Sequence, residues 1–327
     1  MLRNTGFSWV GISNELPVVI FGDHTRAVKY VDFPFAMGAD GVKVLKPKDS
    51  CDAKYLYHFL LQAKIPSAGY SRHYKFVKDL KIPLPPLPEQ RRIAAILDKA
   101  DALRAKRREA IAKLDQLLQA VFLDMFGDPV TNPKGWPRCT LGELVLSVKD
   151  GPHVSPVYSD TGIPFLSTRH IRAGSIRWEE LKYISQSEAE THWRKCKPER
   201  GDILYTKGGT TGLAATVDTD TPFAVWVHVA LLKTNFHKSD PMWLTAMLNF
   251  PYCYQQSQRY TRGIANRDLG LKRMVQIEMY CPPLTLQRQY RIFAENLENA
   301  RNRMLGFDVK LDNMQLALRN NAFGGNL

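Results

Sequence analysis

The sequence predicts an α+β chain in which two mixed α/β blocks, the first of them incomplete, alternate with two long helices that pair as an antiparallel coiled coil. Three observations carry this expectation. A helical pattern runs from Glu89 to Phe126 with no internal glycine or proline. The same pattern recurs near the C-terminus at an offset of 197 residues, and the stretches between are short apolar runs broken by Gly, Pro and Asn turns. The recurrence sets Pro85-Pro86-Leu87 on Pro282-Pro283-Leu284, Gln90 on Gln287, Arg104 on Arg301, Lys113-Leu114-Asp115 on Lys310-Leu311-Asp312, and Phe126-Gly127 on Phe323-Gly324. Two copies of one unit imply internal pseudo-symmetry, which suits a ligand that presents two similar sites a fixed distance apart, as duplex DNA does.

Taken in order, residues 1–85 form the first block. Pro17 to Phe21 reads as a strand closed by Gly22-Asp23, Val42, Val44 and Leu45 as a second strand, and Tyr55 to Leu61 as a short helix. The first long helix occupies 86–127, after the prolines at 83, 85, 86 and 88. Its heptads place Ile93, Ala100, Leu114 and Val121 at a and Ile96, Leu103, Ala110 and Leu117 at d, with Leu97, Ile111, Leu118 and Met125 widening the stripe. Arg107 interrupts the a row, and facing Asp or Glu across the pair is one of its alternatives. Residues 128–283 form the second block, with Leu141–Val148 opening it, strands at Pro164–Leu166 and Asp202–Tyr205, and a helix at Pro241–Leu248. The second long helix spans 284–327, with Tyr290, Leu297, Met304, Leu311 and Leu318 at a and Phe293, Ala300, Phe307 and Met314 at d. The expected seam is therefore Ile93, Leu103, Leu114 and Leu117 against Phe293, Met304, Leu311 and Met314. Before each proline pair the blocks also run in parallel, Asp52-Ala53-Lys54-Tyr55-Leu56 echoing Asp240-Pro241-Met242-Trp243-Leu244. By its own repeat the first block reads as short.

A formal charge of +13 and a pI of about 9.5 favour an anionic partner, because neutralised phosphates release counterions. Cys51, Cys139, Cys196, Cys253 and Cys281 lie far apart without a CxxC pair, so no zinc site or disulfide framework is indicated. No secretory h-region or spanning run is legible, and a cytoplasmic location is expected.

Catalytic patterns are weak. The loops at Asp128-Pro129 and Asn132-Pro133 lack the second proline and aromatic of a base-flipping methyltransferase. Asp160, Glu180 and Lys182 could be spaced as a metal-dependent nuclease set, but an exposed charged turn accounts for them better. Lys207-Gly208-Gly209-Thr210-Thr211-Gly212 lacks the Gly-Lys-Ser/Thr ending of a nucleotide loop and reads either as an amide turn facing a DNA phosphate or as a plain β-turn. No catalytic or metal-ligating residue is expected. Candidate DNA contacts are Lys149, His153, Arg169, His170, Arg172, Lys207, Asn266 and Arg267 in the second block, and His24, Arg26, Arg72 and His73 in the first. The basic helix stretch Arg104, Lys106, Arg107, Arg108 and Lys113 reads as a solvated flank or as a contact to DNA or a partner.

Several of these segments together resemble one family. Leu84-Pro85-Pro86-Leu87-Pro88-Glu89-Gln90-Arg91-Arg92-Ile93 leading into a long basic helix, Gly201-Asp202-Ile203-Leu204, Gly208-Gly209-Thr210-Thr211-Gly212 and Gly22-Asp23-His24-Thr25-Arg26 are similar to the specificity (S) subunit of type I restriction-modification enzymes. The resemblance implies two target-recognition domains, each reading half of a bipartite duplex DNA target, with the helices as spacer and docking surface. It implies a non-catalytic subunit partnered by methyltransferase (M) and restriction (R) subunits, which would hold S-adenosylmethionine, ATP and magnesium. The competing expectation is a truncated or recombination-reserve cassette that acts only as an interaction protein.

Overall fold

The computed structural model describes residues 10–13, 16–37, 41–69, 71–264 and 266–323. They divide into two compact units, one of residues 1–112 with 301–327 and one of 113–300.

In the first unit the strand Val18–Gly22 is the centre of a three-stranded antiparallel sheet, between Val28–Val31 and Val42–Leu45. Val18, Val19 and Phe21 are buried in its core. The helix Ala53–Gln62 packs on this sheet. It starts at Asp52, whose carboxylate accepts the Lys54 and Tyr55 amides at 3.0 and 3.1 Å and so satisfies donors that a helix N-terminus otherwise leaves orphaned. Tyr55 is fully buried, donates its hydroxyl to the Pro83 carbonyl at 2.9 Å, and sets its ring 5.1 Å from Phe323.

The second unit repeats this plan and extends it. Ile203–Thr206 is flanked antiparallel by Ala214–Thr216 and Val229–Thr234, the same order as in the first unit, and a fourth strand, Val145–Asp150, pairs beyond Val229–Thr234. The helix Pro241–Asn249 follows, capped by Asp240 on the Met242 amide at 3.0 Å, and buries Trp243 with its ring 6.3 Å from Phe126. A further sheet of Ala224–Val225, Ile163–Leu166, Lys182–Ile184 and Tyr158–Ser159, with the helix Gln186–Trp193, has no counterpart among the described residues of the first unit. The two- and three-residue strands in it are too short to show a period in sequence.

The repeated glutamine has a physical role in both units. Gln90 accepts the Asp52 amide at 2.8 Å and donates to the Ser50 and Pro85 carbonyls at 2.9 and 2.7 Å. Gln287 accepts the Asp240 amide at 2.8 Å and donates to the Pro282 carbonyl at 2.8 Å. Both glutamines are buried, so each pins the start of a long helix to the start of the shorter helix before it.

The long helices are Leu87–Phe126 and Leu284–Phe323, each of 40 residues. In the first unit Ile93, Ala94 and Leu97 pack with Ala322 and Phe323; in the second, Phe122 and Phe126 pack on Tyr290. Within each unit the helices therefore run antiparallel. Arg104 reaches Asp312 at 2.7 Å and Arg319 reaches Asp101 at 3.6 Å.

The seam follows a different frame from the one expected. Buried and half-buried positions include Ile93, Leu97, Ala100, Arg104, Arg107, Ile111, Leu114, Leu118 and Val121 in a four-then-three spacing, flanked by Ala94, Asp98, Asp101 and, from the expected d row, Ala110. Leu103, Leu117 and Met314, assigned to the seam, are 51%, 44% and 62% exposed. Ile93 is buried, and Phe293, Leu114, Met304 and Leu311 are half-buried. Within the first unit, antiparallel packing sets Asp312, the neighbour of Leu311, against Arg104. Arg107 lies over the Phe307 ring at 5.9 Å.

Candidate nucleic-acid interface

The candidate interface in the second unit is built at one end of the sheet, where Val145–Asp150 and Ile203–Thr206 finish and Val229–Thr234 begins. At its centre is Lys207, which is buried with its ammonium 3.3 Å from Asp150 Oδ2 and 3.0 Å from Asp268 Oδ1. Lys195 adds a 2.6 Å bond to Asp150, and Arg273 stands 3.7 Å from Asp268. Burial alone would push the Asp150 carboxyl up, but the Lys195 and Lys207 ammonium groups outweigh it and hold the carboxyl below its ordinary value. Lys207 was expected to contact DNA; instead its charge is spent inside the protein.

The glycine turn after Lys207 also differs from one of its two readings. Gly208 donates to the His228 carbonyl at 3.2 Å, Gly209 to Arg267 at 3.0 Å and Gly212 to Thr206 at 3.0 Å. Those three amides are already occupied and do not form an open phosphate cradle. The glycines serve close packing: a Cβ on Gly208 would fall 2.1 Å from His228 Nδ1.

His170 and His73 are likewise structural. His170 is buried and takes the Ser167 amide at 2.9 Å on Nδ1, and burial pushes its imidazole pKa down. His73 is buried with both ring nitrogens engaged, Nε2 accepting the Ala68 amide at 3.1 Å and Nδ1 facing the Asp23 carbonyl at 2.9 Å. Both ring nitrogens thus meet backbone groups inside the protein, and this histidine is internal.

The remaining candidates are exposed. Arg169 and Arg172, joined by Arg177, line a recess of about 130 Å³ with Glu179 and Glu180. Lys149 borders a second recess of about 220 Å³ together with Arg194, Lys195, Lys197 and Lys233. Lys233 is paired with Glu199 and Asp202 at 2.7 Å each, while Lys197 lies over the Trp193 ring at 5.6 Å. Asn266 and Arg267 project from the loop that follows the helix Pro251–Tyr260, with Arg267 bonded to Gln258 at 2.6 Å. His153 is exposed beside Asp150 at 3.6 Å. In the first unit His24, Arg26 and Arg72 are exposed, and Arg26 donates to the Ile65 carbonyl at 3.2 Å. Sequence reasoning missed Arg177, Arg194, Lys197 and Arg262; the run Arg194-Lys195-Cys196-Lys197 was a signal that could have found two of them. Of the nuclease-like set, Lys182 sits over the Tyr158 ring at 4.1 Å. Among the described residues no group of three or more His, Cys, Asp or Glu could hold a metal ion.

Residues 15–113 match the family model described as the type I restriction modification DNA specificity domain. The chain is 21% identical to the type I restriction enzyme MjaVIII specificity subunit of Methanocaldococcus jannaschii, over 89% of this chain and 73% of that one. It is also 21% identical to the EcoBI specificity subunit of Escherichia coli, over 98% of this chain and 74% of the relative. The fold matches the type I restriction-modification S subunit from M. genitalium with a TM-score of 0.61 at 15% identity, covering 99% of this chain and 87% of that one. The chain is thus similar to type I specificity subunits along most of its length, and residues 15–113 match their DNA specificity domain.

Proposed function

We propose that this chain is the DNA-recognition subunit of a type I restriction-modification system, itself non-catalytic, that directs methylation and cleavage carried out by partner subunits on duplex DNA with a two-part target. The observation that carries the reading is the match of residues 15–113 to a DNA specificity domain, in a chain whose two units repeat one sheet-and-helix plan. The two basic recesses of the second unit support it, since clustered cations fix a protein on the phosphate backbone while other side chains read bases. Leu103, Leu305, Phe307 and Met314 remain exposed on the long helices of the first unit, an apolar set suited to a methyltransferase subunit. S-adenosylmethionine, ATP and magnesium belong to the partners in this reading, and the restriction subunit supplies cleavage. Among the described residues no helix is long and apolar enough to cross a membrane, and the reading places the complex in the cytoplasm with its DNA.

The test is a methylation assay on genomic DNA with S-adenosylmethionine. The purified chain alone should transfer no methyl group, and adding its cognate methyltransferase subunit should produce methylation confined to one two-part sequence. Transfer or cleavage by the chain alone would overturn the non-catalytic role. Methylation by the partner at the same sites without this chain would overturn the recognition role.

A further inference from the structure

The loop Arg262–Asp268 is fixed at its base from three directions. Lys207 holds Asp268 at 3.0 Å and, through the same ammonium, Asp150 at 3.3 Å. Arg262 and Asp268 exchange main-chain bonds at 2.9 and 2.8 Å, and the Gly209 amide donates to the Arg267 carbonyl at 3.0 Å. Gly263 has a φ of +86°, and a Cβ there would lie 2.3 Å from the Asn266 carbonyl oxygen, so this turn requires glycine. Ile264, at the outer end of this anchored loop, is fully exposed. Asp150 begins a second loop, on which Val154 and Val157 are 70% and 75% exposed.

A single exposed aliphatic is ordinary on a protein surface. The arrangement here is more specific, because two loops with aliphatic tips share one buried ammonium at their bases. Burying that ammonium is costly and is tolerated only through its two carboxylates, which ties the positions of both loops together. Among the described residues of this loop, the side chains of Arg262, Asn266 and Arg267 are also exposed. That mixture fits a major-groove surface, in which arginine and asparagine pair with purine edges and an aliphatic group meets only the thymine methyl. Resting on the DNA-recognition reading above, we infer that Ile264 contacts a thymine methyl of the target and that Lys207 is the positioning residue that holds its loop in place.

The experiment selects duplexes bound by the full chain from a randomised library and sequences them. The wild-type chain should recover a motif containing a T·A pair that becomes degenerate with Ile264→Ser, while binding to an unrelated fixed duplex stays unchanged. Replacing that thymine by uracil should weaken wild-type binding roughly fourfold, the worth of about one buried methyl group, and should cost Ile264→Ser nothing further. Lys207→Met should blur the same position without altering non-specific binding, and Lys207→Arg should restore it. A motif that survives Ile264→Ser, or tolerance of uracil by the wild-type chain, overturns the inference and leaves the recognition reading standing. Selection of no motif by the wild-type chain overturns the recognition reading itself.

Discussion

The two units agree where the chain is held together and differ where it faces outward. In both, a central strand is flanked by the next strand in sequence and by one further along, a helix follows, an aspartate caps it, and a buried glutamine ties that cap to a long helix. In both, the aromatic at the third residue after that aspartate packs on a phenylalanine at the end of the opposite long helix, Tyr55 on Phe323 and Trp243 on Phe126. The surroundings differ: only the second unit, among the described residues, adds a strand to the shared sheet and places a buried lysine between two carboxylates at the sheet's end. The comparison teaches that the repeated residues are scaffold, kept alike because both units solve the same helix-joining problem. The unrepeated loops are free to differ, and a reader of sequence needs that freedom.

If the scaffold is truly duplicated, matched substitutions should have matched effects, read unit by unit through amide hydrogen exchange. The largest should come from the aromatic anchors. Trp243→Ala should destabilise the second unit by roughly 3–5 kcal/mol and Tyr55→Ala the first by a comparable amount, because each empties a fully buried site. Next come the glutamines. Gln90→Ala and Gln287→Ala each leave an Asp amide, half-buried at Asp52 and buried at Asp240, and a proline carbonyl without that partner, at roughly 1–3 kcal/mol in the respective unit. A large loss in one unit and none in the other would break the correspondence.

Helix-face variants sharpen the account further. Leu114→Asp, in the half-buried row, should cost about 2 kcal/mol, whereas Leu103→Asp, on the 51% exposed row, should change thermal stability by less than about 0.5 kcal/mol. The reverse order would restore the frame expected from sequence. The smallest effect is a pH trend. Burial pushes His58 in the first unit and His170 in the second below the ordinary imidazole value, so the unfolded chain takes up these protons first. Stability from both is present above about pH 6.5 and declines as pH falls through that value. Exchange protection that rises between pH 7 and 5.5, after correction for intrinsic rates, would contradict it.

The long helices were legible because a stretch without glycine or proline shows its period plainly. Their seam was not, because Ile96, Leu103 and Leu117 are as apolar as Leu97, Ile111 and Leu118, and composition alone cannot choose between the two stripes. The shared sheet was half visible through Val18–Gly22 and Val42–Leu45, while Val28–Val31, with Lys29 and Tyr30 in it, carries too weak a pattern. At the candidate interface Arg169, Arg172 and Arg267 were named by residue type, while Arg177, Arg194 and Arg262, exposed as well, were not. Lys207 and His73 were misjudged for one reason: a polar residue beside a turn looks the same in sequence whether it is solvated or buried. The groups that bury these two, Asp268 and Asp23, lie 61 and 50 residues away.

The central claim is that unrepeated loops, and not the repeated helices, read DNA sequence. It is tested most directly by selecting bound duplexes with Arg267→Ala and, separately, Arg108→Ala, an exposed cation on the first long helix. Arg267→Ala should relax one position of the selected motif at a cost of roughly 1–3 kcal/mol. Arg108→Ala should leave the motif unchanged, with at most a uniform loss of affinity and a shallower salt dependence. A motif altered by Arg108→Ala and untouched by Arg267→Ala would contradict the account.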